Sequence, residues 1–490
     1  MQEQRVPARS PVHGLSRRRL PFVGVLAQST AAVAPAGVIS VIPALVLQAS
    51  GANLLLTFGL AAAIAILVAA CIRPLARRMA AVSGLYSYIA RGLGPVAALF
   101  GGWSAVFGYA LIGMTGLYAV GVHLTRVLAA LGLPAGPLVA IGLVVAAAAG
   151  TTVAMLRGIR TTSFVVLLVE GVAIAILLTL LVASLLSGGA AGEAPRPDTR
   201  TDPGSIAVGV VLAIGGFVGF ESVTTLGGEA RRPLATIPRA LMITTVGGGA
   251  LYLVAVAFQE YALRRHVDPG PDGSLVSFVA APHAPVLGIV IDLCVASSFL
   301  ACAISSLNAL VRVLFSMGRE GVIPAAFGRT HPRFHSPSVA LLATMPVVTA
   351  VPVMLLLTGV PADTALTWLL LLSSFGYIGS YLLACAAMPF FLRRIGELQP
   401  RYAWLSGTAV ALVALIAVGA TALHLANEPE LPLIYLVVLC AAAVHAFALK
   451  RWRPARLRAV GVYDETIASD VLDAASLSAA ARPGASGEGR

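Results

Sequence analysis

The sequence predicts an all-α membrane protein with twelve transmembrane helices, arranged as two inverted repeats of five helices followed by two C-terminal helices. Of its 490 residues, 58% are hydrophobic and 11% are charged, whereas a soluble domain has roughly 25% charged residues. Apolar runs long enough to cross a bilayer recur along the chain. We predict spans beginning near residues 21, 53, 95, 134, 162, 205, 239, 285, 338, 364, 404 and 430.

The distribution of basic residues predicts the orientation of these spans. With both termini in the cytoplasm, 28 of the 33 Lys and Arg residues fall in cytoplasmic segments. The other five fall outside, namely Arg126, Arg196, Arg200, Arg264 and Arg265. This asymmetry follows the positive-inside rule for a cytoplasmic membrane. Topology therefore explains the net charge of +12, and we expect membrane lipid but no nucleic acid as a partner.

The first span is predicted to break near its centre. It follows a short cytoplasmic arm, residues 1–20, and contains the run Ala34-Pro35-Ala36-Gly37-Val38. Proline removes a backbone donor and clashes with the preceding turn of a helix. Because Gly37 further weakens the helix, we expect the backbone to unwind here.

The sixth span is predicted to break as well. It carries Gly215, Gly216 and Gly219 beside an acid, Glu221, in the middle of an apolar run. Glycine costs a helix interior roughly 1 kcal/mol relative to alanine, and a carboxyl group in hydrocarbon costs more. Backbone that leaves the helix inside a membrane must line a cavity or be buried in protein. This stretch is therefore a candidate substrate site.

The two predicted breaks occupy matching places in the chain. The sixth span begins a second set of five, so residues 21–187 and 205–392 are the predicted repeats, whose broken first helices would meet at the bilayer midplane. Exposed helix N-termini attract anionic groups and freed carbonyls attract cations, which suits a zwitterion. The candidate substrate-binding residues are the two breaks and a tyrosine of span three: Ala34, Pro35, Ala36, Gly37, Val38, Tyr109, Ile214, Gly215, Gly216, Phe217 and Gly219.

A series of motifs resembles the amino acid, polyamine and organocation permease superfamily. Each is moderately specific, but their order and spacing match that superfamily from the first span to about residue 395. The motifs are Gly84-Leu85-Tyr86-Ser87-Tyr88, Gly92-Leu93-Gly94, Gly102-Trp103, Phe217-Val218-Gly219-Phe220-Glu221, Pro233 to Ala240, and Arg312 to Pro324.

The resemblance implies a secondary active transporter that moves amino acids or related amines by alternating access, with no enzymatic activity and no cofactor. It also implies that Glu221 supports unwound backbone and that Phe217 forms an aromatic lid. Three positions depart from the superfamily pattern. The usual acidic pair is reduced to Gly228-Glu229, an arginine beside a proline is Leu234, and span five carries Glu170 where some proton-coupled members have lysine.

Glu170, Ser305 and Ser306 are the candidate coupling residues. A carboxyl group in a low dielectric resists ionisation, so Glu170 is predicted to carry a proton in symport. Two alternatives remain open. An ionised Glu170 near Ser305, Ser306 and the span-one carbonyls would form an oxygen-rich sodium site, or the protein is an exchanger in which Glu170 is structural. No structural metal site is predicted.

The sequence argues against other classes of membrane protein. The apolar spans lack a hydrolase constellation, no repeated acidic or carbonyl-rich filter indicates a channel, and no phosphate-binding loop indicates an ATP-driven pump. Residues 404–450 are predicted to form the last two helices. Residues 451–490, rich in Ala, Ser and Asp towards the end, are predicted to be a largely disordered cytoplasmic tail.

Overall fold

The computed structural model of the chain describes residues 14–15, 17–158, 162–186, 200–264 and 285–464. These residues form α-helices and short 3-10 helices, and no strand occurs among them. The α-helices are α1 (Phe22–Val33), α2 (Pro35–Ser50), α3 (Leu54–Ala76), α4 (Leu85–Leu93), α5 (Pro95–Ala130), α6 (Pro137–Arg157), α7 (Thr162–Leu186), α8 (Pro203–Gly215), α9 (Pro233–Arg264), α10 (Pro285–Glu320), α11 (Ser338–Leu357), α12 (Ala362–Arg394), α13 (Pro400–Asn427), α14 (Glu430–Trp452) and α15 (Pro454–Arg458). The 3-10 helices are Phe220–Leu226 and Ala325–Gly328.

The protein is an integral, multi-pass membrane protein built from helices. Within the described residues, eleven helical segments are long and apolar enough to cross a bilayer. Span five corresponds to α7, which contains the shorter apolar stretch Leu167–Thr179. Each predicted span matches a helix whose first residue lies within six positions of the predicted start. The inverted relation between the two sets of five helices stays a prediction.

The two broken spans lie at the centre of the bundle. In the most apolar window of span one (α1 and α2) 89% of the residues are buried, and in that of span six (α8 and the 3-10 helix Phe220–Leu226) 94% are buried. The corresponding share is 22% for α13 and for α14, which therefore lie at the periphery.

Glycines bring three of the surrounding helices into close contact. A Cβ atom at Gly116 of α5 would lie 2.6 Å from the Phe299 carbonyl oxygen of α10, and one at Gly376 of α12 would lie 2.8 Å from the Gly108 nitrogen of α5. Small residues allow membrane helices to approach backbone to backbone. Helices α5, α10 and α12 consequently form a tight wall beside the two broken spans.

Both described ends of the chain meet on one side of the bundle, which we name the termini side. Arg17 Nε lies 3.0 Å from Asp464 Oδ1, and the Gly461 and Val462 N–H groups each donate to Glu320 Oε1 at 2.8 Å. Residues 459–464 make defined contacts here, and the prediction of a largely disordered tail over residues 451–490 stays a prediction. Composition does not reveal that a carboxylate on another helix binds this backbone.

Some predictions concern residues outside the described part of the chain. They include most of the predicted arm (residues 1–13 and 16), the end of the predicted tail (residues 465–490), and the outside positions Arg196 and Arg265.

Candidate functional site

The span-one break lies at a single residue. Ala34 adopts a left-handed conformation, with φ 49° and ψ 59°, between the end of α1 and the start of α2. Because Pro35 has no N–H group, the first free N–H groups of α2 belong to Ala36 and Gly37. The helix thus presents two unpaired donors and the positive end of its dipole inside the protein core.

A carboxylate from span five occupies this helix end. Glu170 of α7 is only 2% exposed, and its Oε1 accepts a 2.8 Å hydrogen bond from the Ala36 N–H. The Ser298 hydroxyl of α10 donates to the same oxygen at 2.8 Å and accepts from the Gly37 N–H at 3.1 Å. Glu170 and Ser298 together satisfy both free donors of α2.

The span-six break is longer and depends on glycine. The α-helix α8 ends at Gly215, and the 3-10 helix starts at Phe220. Gly219 has φ +105°, and a Cβ atom at this position would lie 2.6 Å from the Ala32 carbonyl oxygen of α1. A Cβ atom at Gly216 would lie 2.8 Å from Val38 of α2. The two breaks therefore pack directly against each other.

Glu221 holds the span-six break together. Its Oε2 accepts from the Gly219 N–H at 3.1 Å and from the Tyr381 hydroxyl of α12 at 2.6 Å, while its Oε1 accepts from the Tyr109 hydroxyl of α5 at 2.9 Å. Glu221 bonds unwound backbone, as expected of it. Tyr109 donates to Glu221 in this structure, and its predicted contact with substrate stays a prediction.

The freed carbonyls are also partly engaged. The Tyr252 hydroxyl of α9 lies 3.0 Å from the Gly216 carbonyl oxygen and 3.5 Å from that of Val33, so it bridges the two breaks. The Ile214 carbonyl accepts from the Phe217 N–H at 2.8 Å. The predicted docking of a substrate ammonium on the carbonyls of Ile214, Gly215 and Gly216 stays a prediction.

The structure does not bring the three candidate coupling residues together. Glu170 contacts Ser298, which precedes Ser305 by seven residues on α10, or about 10 Å at ~1.5 Å per residue. The Ser305 carbonyl accepts from the Gln28 side chain of α1 at 3.0 Å. Glu170 is therefore roughly two helical turns away from the serine pair.

A thiol lies where the predicted sodium site needed a free span-one carbonyl. Cys302 Sγ lies 3.0 Å from the Ala32 carbonyl oxygen and 3.9 Å from Ser306 Oγ. Sodium, a hard cation, prefers oxygen ligands over sulfur. This arrangement counts against a sodium site at these residues.

Phe217 is buried beside the second break. Its ring packs edge-to-face against Tyr252, with ring centroids 4.9 Å apart. It also borders a small apolar cavity shared with Ile64, Tyr381 and Val413. The predicted role of Phe217 as a lid stays a prediction.

Sequence reasoning missed two features near the span-one break. One is Ser298, which completes the contacts of Glu170. The other is a close pair between His123 Nδ1 of α5 and Asp292 Oδ1 of α10, 2.6 Å apart. His123 stacks on Phe299, whose ring lies against Gly37. In the sequence, His123 and Asp292 are each a single polar residue within an apolar run, which is the pattern that could have indicated this pair.

The termini side is closed by an ion pair between spans six and eight. Arg312 Nη2 of α10 lies 2.9 Å from Glu229 Oε1, in the segment that follows the 3-10 helix Phe220–Leu226. Arg312 also donates to Asn308 Oδ1 at 3.1 Å. The single acid that remains of the superfamily's acidic pair is thus sufficient for this contact. The adjacent cavity measures only about 100 Å³.

A wider cavity opens on the opposite side. It has a volume of about 600 Å³ and lies where α2 ends and where α8 and α12 begin. Three acids and one arginine contribute to its lining, namely Asp202, Asp363, Glu428 and Arg200. Hydrogen bonds from the Ser205 backbone lower the pKa of Asp202 below its usual value, so its carboxylate is charged near neutral pH. The mouth of this cavity therefore favours cations.

A sequence model described as amino acid permease matches residues 22–444. This match covers both breaks, the ion pair on the termini side, the first eleven predicted spans and the first part of the twelfth. The chain belongs to the amino acid permease family. The superfamily resemblance seen in the motifs is confirmed.

Three relatives illustrate the range of this family. The chain is 25% identical to the low-affinity putrescine importer PlaP of Escherichia coli over 279 residues, which is 55% of the chain and 60% of that importer's length. It is 25% identical to the vacuolar cationic amino acid transporter 2 of Arabidopsis thaliana, over 67% of the chain and 54% of that protein. It is 27% identical to an uncharacterized transporter of Mycobacterium tuberculosis, over 68% of the chain and 73% of that protein.

Proposed function

We propose that the protein is a secondary active transporter of amino acids or related amines, coupled to protons through Glu170. The observation that carries the proposal is the carboxylate of Glu170 on the free N–H groups of a broken helix, 2.8 Å from the Ala36 nitrogen. The similarity to a putrescine importer and to a cationic amino acid transporter supports this substrate class. We propose no enzymatic reaction for this chain in addition to transport.

Glu170 gives a proton a direct effect on the substrate region. An ionised carboxylate binds the Ala36 N–H through a charge-assisted hydrogen bond, which is roughly twice as strong as a neutral one. Protonation weakens this bond and releases the N-terminal end of α2. The protonation state of one side chain thereby changes the balance between two arrangements of span one, which alternating access requires.

The two sides of the bundle support alternating access. The Arg312–Glu229 pair closes the termini side, while the cavity of about 600 Å³ opens the other. The excess of basic residues on the termini side supports its assignment to the cytoplasm. We infer that this structure faces outward and that separation of Arg312 from Glu229 opens the cytoplasmic path.

Sodium-coupled symport and exchange are the competing forms of coupling. The separation of Glu170 from Ser305 and Ser306 and the thiol of Cys302 on the Ala32 carbonyl favour the proton over sodium. Proton symport and proton exchange both use Glu170, so the role of this residue does not separate them. They differ in the sign of the pH gradient that drives uptake.

The test is uptake of radiolabelled amino acids and amines into proteoliposomes under imposed gradients. We expect accumulation under a pH gradient without sodium and none under a sodium gradient at fixed pH. An alkaline interior drives symport, whereas an acidic interior drives exchange. Accumulation that requires a sodium gradient and does not respond to the pH gradient would overturn the proposal of proton coupling. If internal substrate alone accelerates uptake, the protein is a substrate exchanger and Glu170 is structural.

A further inference from the structure

We propose that the transported substrate is a cationic amine that lacks a carboxylate, and that Glu170 takes the place of that carboxylate at the span-one break and binds the ammonium group. This inference rests on the proposed transport function and names its substrate class. Its starting point is that the N–H groups of Ala36 and Gly37, the natural partners of a substrate carboxylate, bind Glu170 and Ser298 in this structure.

The charge balance of the site favours a cation. In the described part of the chain, neither Glu170 nor Glu221 forms an ion pair with a basic side chain. Both carboxyl groups are at most 2% exposed. A buried charge without a partner is strongly unfavourable. A substrate carboxylate would add a further negative charge here, whereas an ammonium group would neutralise one.

The geometry of Glu170 leaves an oxygen for the ligand. Both hydrogen bonds described for its carboxylate, from Ala36 and from Ser298, end on Oε1. Neither uses Oε2, so an ammonium group can pair with that oxygen without displacing Glu170 from the helix. An amino acid would have to expel Glu170 first and leave two carboxylates beside one helix end.

Two buried hydroxyl groups point to a ligand beside the span-six break. Ser374 and Tyr377 of α12 are fully buried, and neither Ser374 Oγ nor Tyr377 Oη has a hydrogen-bond partner among the described residues. A Cβ atom at Gly215 would lie 3.2 Å from Ser374 Oγ. Buried polar groups are nearly always hydrogen-bonded, so these hydroxyls are suited to a second polar group of a bound amine, such as the distal ammonium of a diamine.

The outward cavity has the same electrostatic preference as Glu170. The outward cavity carries Asp202, Asp363 and Glu428 against one arginine, Arg200. Clefts with charges of one sign concentrate ligands of the opposite sign. A cationic amine is therefore favoured at the mouth as well as at Glu170.

A proton and an ammonium group would compete for Glu170. The titratable groups that feel the charge of Glu170 are the Tyr252 hydroxyl of α9 and the thiols of Cys294 and Cys302 on α10, all of which are neutral near neutral pH. The broken span one contributes no titratable side chain. When an ammonium group binds, the proton leaves Glu170 for water, so proton and amine cross in opposite directions. Binding of the ammonium group to Glu170 thus favours exchange of a proton for an amine over symport.

The experiment compares pairs of substrates that differ only in the carboxylate. Cadaverine is paired with lysine, and phenethylamine with phenylalanine, in uptake assays with proteoliposomes that hold the full chain. We expect each amine to be taken up about 100-fold more efficiently than its amino acid, as a buried charge pair requires. We also expect an acidic interior to drive amine uptake beyond that of protein-free liposomes, in which the neutral amine crosses the bilayer and is trapped as ammonium.

Variants of Glu170 test its role in this selectivity. Glu170→Gln keeps an oxygen for the Ala36 N–H and should fold, but it loses the charge and about 100-fold of amine uptake. Glu170→Ala frees the helix end and should reduce the preference for amine over amino acid at least about tenfold. Glu260→Gln is the matched control, because this buried acid of α9 bonds Asn53, away from both breaks.

The outcomes separate this inference from the transport proposal. If lysine and phenylalanine are taken up as well as their amines, the amine inference fails while transport stands. If Glu170→Gln transports amines like the unaltered protein, Glu170 does not bind the ammonium. If neither member of a pair accumulates under any gradient, the transport proposal fails and the amine inference fails with it.

Discussion

At the span-one break the chain leaves the helix at one residue, Ala34, and its free N–H groups bind side chains of α7 and α10. The span-six break runs from Gly216 to Gly219, and its carboxylate, Glu221, comes from the same segment. Glu221 accepts three hydrogen bonds, two of them from tyrosines. Glu170 accepts two through a single oxygen. The second break is thus locked, whereas the first is held by a carboxylate and a hydroxyl from other helices, and the carboxylate can change partners.

The neighbours of the glycines show the same difference. A Cβ atom at Gly219 would meet the backbone oxygen of Ala32 at 2.6 Å, whereas a Cβ atom at Gly37 would meet the ring of Phe299 at 2.9 Å. A ring can rotate away, but a backbone carbonyl in a buried helix cannot. We infer that span six is the fixed frame of the site and that span one responds to ligand and proton.

The strongest test of this comparison is Gly219→Ala. The residue needs φ +105°, and the added Cβ atom would clash with backbone, so we expect a loss of about 3–5 kcal/mol in stability. The measurement is thermal unfolding of purified protein in detergent. Gly247→Ala is the control, because a Cβ atom at Gly247 of α9 meets nothing within 4 Å. An unchanged midpoint for Gly219→Ala would contradict the idea of a fixed frame.

A substitution at the other break should damage function more than folding. We expect Gly37→Leu to displace the Phe299 ring at about 1–3 kcal/mol of strain while it blocks the site and lowers substrate affinity about 100-fold or more. Binding to the folded variant measures the second effect. Gly142→Leu on α6, where a Cβ atom has no neighbour within 4 Å, is the control. Normal affinity in a folded Gly37→Leu protein would sink the prediction.

The smallest effect is expected at Ser298, which links Glu170 to the Gly37 N–H. Ser298→Ala removes both of these hydrogen bonds, at about 1 kcal/mol each, which together correspond to a roughly 30-fold loss in uptake. The adjacent Ser297→Ala is the control, because that hydroxyl bonds the Cys294 carbonyl of its own helix. Equal uptake by the two variants would argue that Ser298 does not support Glu170.

The sequence was sufficient to predict the spans and both breaks. Span length is a local property set by bilayer thickness, and Pro35 and the glycines around Gly216 act on their own helices. The partners of these breaks depend on how distant helices are rotated and shifted against each other. Glu170 was therefore singled out as an acid inside a span, but the sodium alternative placed it near Ser305 and Ser306, whereas it contacts Ser298, two turns away on the same helix.

The ion pair between Arg17 and Asp464 has a consequence for the synthesis and assembly of the protein. The two residues are 447 positions apart, so the contact forms only after nearly every helix has been made and inserted. The ion pair cannot form until Asp464 has been synthesised. Docking of the N-terminal segment against the C-terminal segment is consequently among the last events of biogenesis, later than the Arg312–Glu229 pair.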